Sequence, residues 1–183
     1  NHSFDLLSCF PASAEPGKAF TSVTYSNLYF REPESRADQT RMMSIVTTGA
    51  ETGYYVDVFR SRKEKGGDKM HDYFYHNLGQ TLTLTAADGS DLNLQPTEEL
   101  AFAGAHLYAY SYLYDKKVAA TNKDVKATFT IDMKDKDGDD IYMNLWMKGE
   151  PDREIFTALA PMTEGLSRTP NMPYNIKEQP TLT

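Results

Sequence analysis

Short runs rich in β-branched and aromatic residues recur along this chain, and each is cut off by a turn signal. GYYVDVFR, residues 53–60, alternates strictly: Tyr55, Asp57 and Phe59 point one way, Tyr54, Val56 and Val58 the other. QTLTLT, residues 80–85, alternates again and is followed by Asp88-Gly89. FTSVTYSNLYF (20–30), TRMMSIVT (40–47), LYAYSYLY (107–114) and IFTALA (155–160) read as further strands. Ala127 to Met133 and Ile141 to Met147 flank KDKDGDD and read as a hairpin closed on Asp137-Gly138. Only Glu98 to Ala105 offers a short helix, which Gly104 weakens. Roughly nine or ten strands are more than one small sheet holds, and two packed sheets bury them. The expected fold is all-β, an antiparallel two-sheet β-sandwich, with residues 1–183 as a single domain.

Charge and composition exclude several functions. Apolar residues make up 40% of the chain, enough for a substantial core. The net charge of −7 argues against nucleic acid, whose phosphates call for clustered Lys and Arg. Cys9 is the single cysteine, so neither an intrachain disulfide nor a cysteine cluster for zinc can form. No apolar run is long enough for a membrane span, and no signal-peptide pattern is visible. The chain starts at Asn1, and Pro180-Thr-Leu-Thr183 reads like the opening of a strand. Both ends are those expected of a piece of something longer.

MHDYFYHNLG, residues 70–79, concentrates two histidines, an aspartate and three aromatics. Read as the return strand of a hairpin after SRKEKGGDK, it places His71, Tyr73 and Tyr75 on one face and Asp72, Phe74 and His76 on the other. The two histidines then cannot chelate one metal. Asp72 and His76, four residues apart, stand about 13 Å apart along an ideal strand, too far for joint ligation. A metal site would need ligands from elsewhere, such as Asp57 on the neighbouring strand. The favoured reading is structural: Asp57, His71, Asp72 and His76 form a polar cluster tying strands together, and a histidine facing a substrate groove is the alternative.

Tyr108, Tyr110, Tyr112 and Tyr114 recur at spacing two, so a strand would set all four on one face. Tyrosine combines an apolar ring with a hydroxyl, which suits a sugar's C–H face and its hydroxyls. The competing reading is a stripe covered by a loop or second sheet. Arg60 to Lys69 is the most basic stretch of an acidic chain, and Arg60 and Arg62 could meet an anionic polysaccharide or simply be solvated. KDKDGDD lacks the spacing of a calcium loop, because Gly138 comes too early. No G-x-S-x-G and no Gly-rich phosphate loop appears.

TRMMSIVTTGAETGYYVDVFRSRKEKGGDKMHDYFYHNLG, residues 40–79, resembles the β-sandwich region of the heparinase II/III-like polysaccharide lyases. Arg41, Tyr55, Asp57, Phe59, Arg60, Gly67, His71, Asp72, Tyr73, His76 and Gly79 fit that pattern. The C-terminal MTEGLSRTPNMPYNIKEQPTLT also looks like the family's final sandwich segments. The resemblance implies a parent protein with an N-terminal helical toroid that supplies the catalytic Tyr. It also implies a sandwich that covers the substrate cleft and often adds a His and a zinc site. Those lyases abstract the proton beside a uronate carboxylate and β-eliminate the glycosidic bond. This sequence departs from the pattern: the His-x-His motif is absent, the histidines being His2, His71, His76 and His106, and Asn1-His2-Ser3 only echoes the family's His-Asn-Thr.

No catalytic residue, metal ligand or cofactor is therefore assigned. The resemblance implies an accessory sandwich of a periplasmic or secreted lyase, inactive alone. Its expected partners are a uronate-containing polysaccharide and the helical toroid of the same protein. An independent carbohydrate-binding sandwich and a structural domain with no ligand remain the alternatives.

Overall fold

The computed structural model describes residues 3–11, 22–33, 35–67, 71–100, 108–134, 137–161 and 178–182. Chain contacts gather into two compact units, Asn1–His71 and Asp72–Thr183. Every strand in both is paired antiparallel, so the all-β, antiparallel expectation holds.

The first unit is one four-stranded sheet of β1 (Asp5–Phe10), β2 (Val23–Arg31), β3 (Asp38–Thr47) and β4 (Gly53–Arg62), in chain order. The alternation read in GYYVDVFR is realised here, with Met43 opposite Asp57 and Arg41 opposite Phe59. Arg41 grips Asp57 through two hydrogen bonds, from Nε at 3.0 Å and from a terminal nitrogen at 2.6 Å. The pair stands on an exposed face, where screening limits its worth to about 1 kcal/mol or less.

The second unit carries the two-sheet sandwich. Its strands are β5 (Tyr75–His76), β6 (Thr81–Ala86), β7 (Gln95–Pro96), β8 (Tyr114–Ala120), β9 (Val125–Ile131), β10 (Ile141–Met147), β11 (Glu154–Pro161) and β12 (Glu178–Leu182). One sheet has the order β10-β9-β6, the other β5-β12-β11-β8-β7. Period-two patterning explains the packing. Val125, Ala127 and Phe129 of β9 turn inward and are at most 1% exposed. They meet Leu84 from β6 and Ala119, Ile155 and Leu182 from the facing sheet. Met143, Leu145 and Met147 of β10 pack on the same core. The intervening Lys126, Thr128 and Thr130, with Tyr142, Asn144 and Trp146, face outward.

β11 is central to its sheet and is buried on both faces. Ile155 enters the main core, while Ala158 and Ala160 join Leu113 and Phe74 in a second cluster on the sheet's outer face. The hairpin expected around KDKDGDD is present as β9–β10, with Ile141 opposite Ile131. The residue in the left-handed region of its turn is Asp137, at φ 52°. Residues Pro180 to Leu182 belong to β12, which lies between β5 and β11.

Two sequence expectations are corrected. LYAYSYLY is not a strand: Tyr108–Tyr112 form a 3-10 helix, and Tyr114 opens β8. Residues 71–74 have no ladder, and β5 pairs with β12 rather than returning along β4. The reason is apolar burial. Phe74 and Tyr75 are drawn into the two clusters of the second unit, Tyr75 packing on Phe129 with ring centroids 5.6 Å apart. Most of the helix expected at Glu98 to Ala105 lies outside the described residues.

Candidate functional site

A 3-10 helix repeats every three residues, so side chains at i and i+3 eclipse. That period dissolves the four-tyrosine stripe. Tyr110 and Leu113 are drawn to the same side, with the Leu113 N–H donating to the Tyr110 carbonyl at 3.2 Å. Leu113 is buried against Ala158 and Ala160, whereas Ser111 and Tyr112 are left facing water. Tyr112 is 64% exposed and Tyr114 39%. The side chain of Tyr108 lies outside the described residues.

Phe74 is the hub beneath this helix. Its ring meets Tyr110 edge-on, with centroids 5.0 Å apart at 89°, and lies nearly parallel to His76 at 6.1 Å and 13°. The Tyr110 hydroxyl donates to Oδ2 of Asp72 at 2.5 Å. Asp72, Phe74 and His76 thus share one side, as the alternation predicted, although only Tyr75 and His76 form a ladder. No local sequence pattern could have revealed the hub, because Asp72 and Tyr110 lie 38 residues apart.

The electrostatics define what this cluster can do. Desolvation first, then the hydrogen bond to Asp72 and its negative charge, raise the Tyr110 pKa well above the ordinary phenol value. At neutral pH the hydroxyl stays protonated and donates to Asp72. Tyr110→Phe is expected to lower stability by about 1 kcal/mol, the usual worth of one such bond, in chemical denaturation. Partial burial lowers the His76 pKa below 6.5. Its neutral form therefore supports the fold above 6.5, and that support is lost as pH falls through the lowered folded value. His76→Gln should flatten the decline in unfolding free energy as pH falls below 6.5; an unchanged slope would assign the decline to other groups.

The remaining predicted residues lie in the first unit. Arg60 and Arg62 are exposed on one face of β4, and neither has an ion-pair partner among the described residues. In register with Arg62 are Asp38 and then Arg31. Asp38 accepts from Tyr29 at 2.6 Å and from Arg31 at 3.5 Å, so this carboxylate is in register between two arginines, Arg31 and Arg62. Of the polar cluster, Asp57 and His71 belong to the first unit and Asp72 and His76 to the second, with Arg41 holding Asp57 and Tyr110 holding Asp72. Among the described residues, no three His, Cys, Asp or Glu side chains converge as a metal site would require.

No family model matches the chain, and no solved structure matches it. Over 143 residues it is 32% identical to the endo-acting ulvan lyase of Formosa agariphila. That stretch covers 76% of this chain and 17% of that enzyme. The chain is thus related to a polysaccharide lyase, and it spans a small part of that relative's length. Among the described residues no helix is long and apolar enough to cross a membrane.

Proposed function

We propose that this chain is an accessory β-sandwich region of a heparinase II/III-like polysaccharide lyase, one that engages an acidic, uronate-containing polysaccharide without cleaving it. The observation that carries this reading is the 32% identity to a polysaccharide lyase over 143 residues. The pattern of residues 40–79 supports the family. The chemistry of the cluster supports the non-catalytic part: the Tyr110 hydroxyl is locked onto Asp72 with a raised pKa, which suits positioning and not proton abstraction.

In this reading the exposed Tyr112 and Tyr114 present apolar ring area to sugar, with Tyr110 fixed behind them and Tyr108 leading into the same helix. Arg60 and Arg62 offer exposed positive charge to uronate carboxylates. The catalytic set belongs to a helical toroid elsewhere in the same periplasmic or secreted protein. The exposure of Tyr112 favours sugar contact over a purely bracing role, for which a covered ring would suffice.

The test is native electrophoresis of the chain through gels containing ulvan, alginate, chondroitin, heparan sulfate or neutral dextran. Retardation by an acidic polymer but not by dextran is expected. Migration unaffected by every polymer would refute polysaccharide engagement.

A further inference from the structure

The outer face of the three-stranded sheet sets exposed aromatics among hydroxyls. Strand register sets three rows across it: Thr81, Thr130 and Tyr142; Thr83, Thr128 and Asn144; Thr85, Lys126 and Trp146. Nine side chains therefore share one face, and none carries a negative charge. Trp146 is 59% exposed and Tyr142 58%. Large aromatics on a free sheet face, standing over a field of hydroxyls, are an informative exception to ordinary burial.

Two polar groups of this face have fixed partners: the Tyr142 hydroxyl donates to Oδ2 of Asp140 at the start of the strand, at 3.3 Å, and Thr128 holds Asn144. The Thr128 hydroxyl donates to Oδ1 of Asn144 at 2.8 Å, which fixes the amide and leaves its NH2 donors outward. Lys126, beside Trp146, has no ion pair among the described residues. Tyr142 and Trp146 are four residues apart, about 13 Å along the strand. That separation calls for an extended oligomer rather than one sugar ring.

We infer that this face is a second polysaccharide-binding platform, on which Tyr142 and Trp146 stack against sugar rings while Asn144 and the threonines bond hydroxyls and Lys126 pairs with a carboxylate. The aromatic–hydroxyl combination and the available lysine single out an acidic glycan among possible occupants. The inference rests on the polysaccharide reading proposed for this chain but uses other residues. The Phe74–Tyr110 cluster packs on the outer face of the five-stranded sheet, so the two surfaces lie on opposite sides of one sandwich.

Trp146 is the single tryptophan, so its emission reports this face alone. Titration of the chain with ulvan should shift that emission saturably. In ulvan gels, Trp146→Ala and Tyr142→Ala should each weaken retention roughly tenfold or more, the scale of a truncated aromatic anchor. Tyr112→Ala, run alongside, reads the other surface. Wild-type-like retention of both strand variants, or retention without any emission change, overturns the platform. If Tyr112→Ala still weakens retention in that case, polysaccharide engagement itself survives. No retention of the wild-type chain would overturn both.

Discussion

Phe129→Ala is expected to destabilise the second unit by about 3–5 kcal/mol in urea unfolding, the range for deleting a fully buried phenylalanine ring. Phe129 is 1% exposed and sits where both sheets meet. On its own sheet it is in register with Leu82 and Met143, and its ring also packs on Tyr75. Tyr75 is bound to β12 through its ladder, so the lost ring also loosens the segment that holds Phe74 and His76. A loss under about 1 kcal/mol would mean that the inner faces do not interdigitate in this way.

Gly149→Ala is expected to cost about 2–3 kcal/mol, for a different reason. A Cβ at Gly149 would lie 2.1 Å from the Asn122 carbonyl oxygen and 2.7 Å from the Lys123 carbonyl carbon. Both are backbone atoms, so no flexible side chain can yield. The Gly149 N–H also donates to Asp124 at 2.7 Å, and Arg153 ties the same loops through the carbonyls of Lys148 and Lys123. The displaced backbone begins two residues after β10, so the variant should weaken ulvan retention in step with the loss of stability. Wild-type stability would show that this close approach is not maintained in solution.

Much of the second unit's fold was legible because its core strands obey period two. TLTLTA, VKATFTI and IYMNLWM each alternate an inward and an outward set, and Asp137-Gly138 marks the turn between two of them. YDKKVAA of β8 carries too much charge to read as a strand, yet its Ala119 closes the core. The tyrosine stripe failed because spacing two has no directional meaning on a backbone with three residues per turn. The return strand failed because Phe74 and Tyr75 gain more by burial in two separate clusters than by extending an edge beside β4. Asp72 stands out in the sequence, whereas Tyr110 reads there only as one member of a tyrosine run, facing sugar or covered by neighbouring chain. Only the fold brings them to one hydrogen bond.

The most direct measurement records ultraviolet absorbance and binding heat together while the chain is mixed with ulvan and then with alginate. Each β-elimination creates a double bond conjugated to the uronate carboxylate, so cleavage is visible as it happens. Binding heat with a flat absorbance trace is the predicted result for an accessory sandwich. A rising trace would reveal a catalytic set within these residues and contradict the account, as would the absence of heat with either polymer.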